Sequence, residues 1–135
     1  PADAPDACRK ALGQRLTIAG QVPPQQARSA MAGADVLINL GNTVTNQLPS
    51  KIFEYFSSGK PVLNLCANPS DPALRYFARY PLALTLFAND ASAPEKLRCW
   101  LTETAGKRLD FAQSAALFAE NTPAAVAKEL LRGLQ

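Results

Sequence analysis

Asn46-Gln47-Leu48-Pro49-Ser50-Lys51-Ile52-Phe53-Glu54-Tyr55-Phe56-Ser57-Ser58-Gly59-Lys60-Pro61-Val62-Leu63 changes character twice within eighteen residues. A polar loop over 42–47 runs into a short helix that carries one acid, Glu54, and a new apolar run begins at Pro61. Pro49 presets φ for a first helical turn, and the Ser50 hydroxyl is placed to accept bonds from free N–H groups there. Gly59 is the favoured residue just past a helix, and Lys60 brings positive charge to the carbonyl end. Unpaired N–H groups and the macrodipole at the start of such a helix attract anions such as phosphate. Glu54 lies about a turn further along. A diphosphate on the helix end and a ribose on the carboxylate would fit together.

Working outward, short apolar runs alternate with helical patterns. Leu16-Thr17-Ile18-Ala19-Gly20 is too short for a helix and predicts a buried strand, closed by a turn at Gln21-Val22-Pro23-Pro24. Residues 24–32 have helix composition, with Ala27, Ala30 and Met31 on one face and Gly33 as the stop. Residues 35–40 predict a second strand, apolar enough to be buried on both faces. Residues 61–65 and 83–87 predict a third and a fourth. Between them Asn68-Pro69-Ser70-Asp71-Pro72 is a turn, whose Ser70 or Asp71 could cap a helix reaching Arg79. Ser92 followed by Pro94 and Glu95 opens a helix to Thr104 with Leu97, Trp100 and Leu101 on its apolar face; helices over 108–119 and 123–134 follow. Before all of these, a short helix turns Cys8, Ala11 and Leu12 inward. The fold class expected is α/β: a Rossmann-like, three-layer α/β/α domain with a mostly parallel sheet of about four strands, followed by C-terminal helices.

Ligands of such sheets sit at the carboxyl ends of the strands. That rule brings residues 20–22, 41–47 and 66–71 to one rim. Neither a G-x-G-x-x-G fingerprint nor a P-loop occurs, so dinucleotide and ATP readings lack support.

Composition bounds the function classes. The 135 residues suit one domain that buries roughly 68% of its unfolded surface. Apolar content of 47% and charged content of 19% belong to a globular chain. The net charge of +3 comes from scattered Lys and Arg, so a weak preference for anions is expected and a nucleic-acid stripe is not. No apolar run approaches the ~18 residues of a membrane span. Cys8, Cys66 and Cys99 are far apart, which suggests reduced thiols in the cytosol and neither a disulfide scaffold nor a zinc site. There is no histidine, and no Asp-x-Asp pair that could bridge a diphosphate through a metal. Pro1 in place of an initiator Met is expected of a piece of something longer.

From Ala34-Asp35-Val36 through Pro49-Ser50-Lys51-Ile52-Phe53-Glu54-Tyr55 to Gly59-Lys60-Pro61-Val62, the chain resembles the donor-binding half of GT-B fold glycosyltransferases, the group 1 or glycogen-synthase-like kind. The likeness spans about residues 16–87, the latter part of a donor domain. It implies a nucleoside-diphosphate sugar as donor substrate, no other cofactor, and an acceptor-binding domain of the same protein as partner. It gives Glu54 the ribose hydroxyls. Many members place a second acid eight positions earlier, where this chain has the uncharged Asn46. Ser50 and Lys51 would meet phosphate, Asn46 and Gln47 the sugar, and Gly20 and Val22 would offer backbone groups to the base. Each has a plainer alternative: a solvated Glu54, an ordinary Ser50 cap, an exposed Lys51, a strand-ending turn at Gly20. A sugar-nucleotide epimerase shares the architecture, and a non-catalytic interaction module of the same fold is the third option. No side chain here stands out as an acceptor base, so catalytic residues are unassigned. In the strand order 3-2-1-4-5-6 the missing first two strands would lie between the run 16–20 and residues 35–40. The run 16–20 should then pair directly with 35–40, or a homo-oligomer should form across that edge.

Overall fold

Val62-Leu63-Asn64-Leu65-Cys66, the apolar run after Gly59-Lys60-Pro61, is the middle strand of a parallel sheet. The structure is a computed structural model and describes residues 6–42, 47–121 and 123–132. The chain divides into two units, Pro1–Gly33 and Ala34–Gln135.

The first unit holds helix α1 (Asp6–Leu12), a 3₁₀ turn (Gly13–Arg15) and helix α2 (Pro24–Gly33). Residues 16–20 are irregular, not the expected strand. Short apolar runs acquire strand character from a partner ladder, and no ladder bond reaches this one among the described residues. The inward turn expected of α1 is also corrected: Cys8, Ala11 and Leu12 are exposed. On α2, Ala27 and Met31 are half-buried while Ala30 is exposed.

The second unit carries strands β1 (Leu37–Leu40), β2 (Val62–Cys66) and β3 (Ala83–Phe87), all parallel and in the order β1-β2-β3. This is an α/β fold with three strands among the described residues, consistent with a Rossmann-like arrangement. Helices α3 (Lys51–Ser57), α4 (Leu74–Phe77), α5 (Ala93–Thr104), α6 (Phe111–Leu117) and α7 (Pro123–Arg132) alternate with and follow the strands. The helix expected up to Arg79 is thus a single turn. α6 starts later than its composition suggests because Asp110 and Gln113 close a capping box: the Asp110 side chain accepts from the Gln113 N–H at 2.7 Å, and the Gln113 side chain from the Asp110 N–H at 2.8 Å.

Adjacent side chains on a strand point to opposite faces, and two separate apolar clusters follow. On the face of Val62, Ile52 and Phe56 of α3 meet Tyr76, Phe77 and Tyr80, with Phe118 beyond α6. Phe56 is stacked between Tyr80 and Phe118, with ring centroids at 4.5 and 4.9 Å. Gly59 holds this face shut. It has φ +70°, its carbonyl accepts from the Leu109 N–H at 2.9 Å, and a Cβ there would fall 1.9 Å from the Leu109 carbonyl oxygen. Lys60 is buried with its ammonium donating to the Ala34 carbonyl at 2.7 Å, so its charge serves an interior bond.

On the face of Leu63, Leu86 packs with Trp100 and Leu97 of α5. Trp100 is packing, as its spacing suggests, and Leu101 is left exposed. This cover stops short of β1, where Ile38 is 55% and Leu40 72% exposed. The expectation that this strand is buried on both faces is therefore wrong. β1 borders the sheet, and an apolar run does not distinguish a border strand from a central one.

Candidate functional site

The carboxyl ends of β1 and β2 form the polar rim of the sheet. Beside β1 lies an open cleft of about 540 Å³, within the range of small-molecule sites. Asn39 and Leu40 of β1, Asn42 and Gln47 after it, Ser50 just ahead of α3, and Lys51 and Tyr55 of α3 contribute to its walls. Lys51 and Tyr55 face it together because they are four residues apart on α3. Lys51 is the one cation of the lining and no acid belongs to it, among the described residues. Such a cleft suits an anion with hydrogen-bonding groups.

The structure brings three of the expected site residues, Gln47, Ser50 and Lys51, into this cleft. Glu54 is exposed on α3 next to Tyr55 but is not part of the lining. Among the described residues no ion pair or side-chain hydrogen bond engages Glu54. Asn46 lies outside the described residues. Gly20 and Val22 belong to the first unit, where Gly20 takes φ +68° in the turn ahead of α2 and Val22 is half-buried.

Two details at the start of α3 differ from expectation. Ser50 precedes the helix in an αR conformation and its side chain caps nothing, so the hydroxyl is not consumed by the helix end. The amides of Ile52 and Phe53 turn back onto the carbonyls of Pro49 and Ser50 at 3.3 and 3.2 Å. Those tight bonds occupy donors that would otherwise face an anion. Charge attraction in the cleft therefore falls chiefly on the Lys51 ammonium.

Two polar arrangements were not legible beforehand. Asn39, Asn64 and Thr85 stand in register across the three strands. The Asn39 amide donates to Asn64 at 2.8 Å, and the Asn64 amide to the Thr85 hydroxyl at 3.4 Å. Asn64 is wholly buried, so this ladder satisfies groups that would be costly alone. The other is Asp71, also buried, whose carboxylate joins the segments after β1 and β2. Asn and Asp in apolar surroundings are the signal for both, but only strand register and the loop path show their partners.

Among the described residues, no group of three or more His, Cys, Asp or Glu side chains is placed to hold a metal ion, and no helix is long and apolar enough to cross a membrane. Cys8, Cys66 and Cys99 are free thiols. No protein-family model, no curated protein and no solved structure matches this chain.

Proposed function

We propose that this chain is the sugar-nucleotide-binding part of a glycosyltransferase that moves a sugar from a nucleoside-diphosphate donor to a glycan or glycoconjugate acceptor. The observation that carries the reading is the cleft beside the carboxyl end of β1, lined among the described residues by hydrogen-bonding side chains and a single cation, Lys51, with no acid. A diphosphate in that cleft would meet Lys51 and the uncommitted Ser50 hydroxyl. Glu54, exposed about a turn along α3, would take the ribose hydroxyls at the cleft's margin. The resemblance of residues 34–62 to donor-binding domains supports the same assignment. Catalysis would consist of holding the diphosphate leaving group electrostatically while an acceptor, presented by another domain, attacks the sugar carbon. On this reading the three strands are the latter part of a larger sheet of a three-layer domain, and a further strand supplied from upstream would lie along β1.

Glu54→Ala in the full-length protein should weaken sugar-nucleotide binding by about 1.5–3 kcal/mol, the scale of a hydrogen bond to a charged group. Stability should barely move, because the side chain is exposed and engages no partner among the described residues. Titration calorimetry against a panel of nucleoside diphosphates and their sugars checks this. Equal affinity in variant and parent removes Glu54 from the site. A parent that binds none of the panel favours a non-catalytic interaction module built on the same fold.

A further inference from the structure

Asp71 lies 3% exposed at the polar rim, and both of its carboxylate oxygens are engaged. One accepts from the Ala73 N–H at 2.8 Å, a short-range bond of the kind found ahead of a helix. The other accepts from the Asn42 N–H at 3.0 Å, across 29 positions of sequence. Nothing about starting α4 requires that second bond. Asn42 in turn donates its side-chain amide to the Gln47 carbonyl at 3.2 Å, and both Asn42 and Gln47 line the cleft. The approach is close as well as bonded. A Cβ on Gly41 would lie 3.1 Å from the same Asp71 oxygen and 3.2 Å from the Cys66 sulfur, so glycine lets the chain after β1 come down onto the carboxylate. The Cys66 thiol donates to the Asn68 carbonyl at 3.1 Å and stands 4.0 Å from that oxygen, closing the far side.

We propose that Asp71 is a positioning residue for the ligand cleft: its buried carboxylate fixes Asn42, and through Asn42 the Gln47 carbonyl, in the places where they meet the nucleotide sugar. This rests on the nucleotide-sugar reading of the cleft. The chemistry demands a carboxylate and not merely a polar group. Two backbone donors converge on two acceptor oxygens, whereas an amide offers one acceptor and would set its NH₂ against the remaining N–H. Burying the charge is tolerable because bonds to ionised acceptors are stronger than neutral ones.

The test combines amide exchange with ligand titration on the full-length protein. In the parent, the Asn42 amide should be protected even though its bond is to a side chain. An Asn42 amide that exchanges like an unstructured peptide overturns the proposal, whatever the variants do. Asp71→Asn and Asp71→Ala should both lose that protection and bind the parent's preferred nucleoside diphosphate roughly tenfold more weakly, the effect of one charge-assisted bond. Leu86→Ala, which loosens the Trp100 cluster and leaves the cleft lining and Asp71 in place, should lose stability and keep its affinity. If Asp71→Asn does not fold, Gly41→Ala keeps the carboxylate but crowds it and the Cys66 backbone, shifting the Asn42 segment slightly, with a smaller loss of affinity expected. Unchanged affinity in the folded Asp71 or Gly41 variants overturns the positioning role. A parent that binds no nucleoside diphosphate defeats the nucleotide-sugar reading and, with it, the role assigned to Asp71.

Discussion

On the side of the sheet where Val62 points, α3, α4 and Phe118 close over the strands; on the side where Leu63 points, α5 covers β2 and β3 and leaves Ile38 and Leu40 of β1 in the open. The two faces are built from the same three strands. What separates them is aromatic content and chain path. The first face gathers Phe53, Phe56, Tyr76, Phe77, Tyr80 and Phe118 into one ring-on-ring cluster, sealed by Gly59 against Leu109. The second has a single aromatic, Trp100, in its buried cluster. The candidate cleft opens beside β1, the strand on which this second cover gives out, and takes its other wall from α3 of the first face. Leu48 and Tyr55 line the cleft and also pack against the aromatic cluster, so stability and ligand access meet along α3.

Phe56→Ala should be the costliest way to break the comparison. The side chain is 1% exposed and stacked on two rings, so its removal leaves a cavity worth about 3–5 kcal/mol. That is a large part of the 5–15 kcal/mol typical of a whole domain. Urea unfolding followed by circular dichroism measures it. A loss no larger than that of Leu97→Ala on the half-buried second face would mean that the aromatic cluster is not the stronger half.

A smaller effect comes from the same cluster at high pH. Tyr80 is buried and donates its hydroxyl to the Lys60 carbonyl at 3.0 Å. Burial pushes its phenol up to about 12, with the nearby Ser114 pulling the other way. Between pH 10 and 12 the folded state keeps a proton that the unfolded chain has released, so stability falls as pH rises through that window. The loss is on the order of 2 kcal/mol. Other tyrosines and lysines titrate there too, so the diagnostic quantity is the difference between the parent and Tyr80→Phe. Parallel pH profiles for the two would remove Tyr80 as the cause.

How far these features could be read in advance depends on how local they are. β2, β3, α3 and α5 follow from short apolar runs punctuated by Gly59, Pro61, Ser92 and Pro94, signals that act within a few residues. The run Leu16-Thr17-Ile18-Ala19-Gly20 carries similar local signals and is not a strand, because strand formation is a matter of pairing and packing. The exposed flank of β1 is likewise beyond local signals, because an apolar run reads the same in a border strand as in a central one. At the rim, Gln47, Ser50 and Lys51 were legible as neighbours of a helix start. The bond from Asn42 to Asp71 was not, since it spans 29 positions and depends on how two loops fold over the sheet end.

The smallest expected effect sharpens the comparison most. Leu40 is 72% exposed, on the same side of the sheet as Leu65 and Leu86, which pair beside it in register. With its side chain largely in water, Leu40→Ser should change stability by less than about 0.5 kcal/mol, the usual range for surface sites. The buried Leu86 of the same row, 5% exposed within the Trp100 cluster, should cost about 2–5 kcal/mol as Leu86→Ala. The contrast between two leucines two strands apart on one face measures where the cover of α5 ends. Chemical denaturation of both variants at several protein concentrations gives the answer. A Leu40→Ser cost above about 1 kcal/mol would show that this flank is buried in solution, and growth of that cost with protein concentration would identify a second copy of the chain as what buries it.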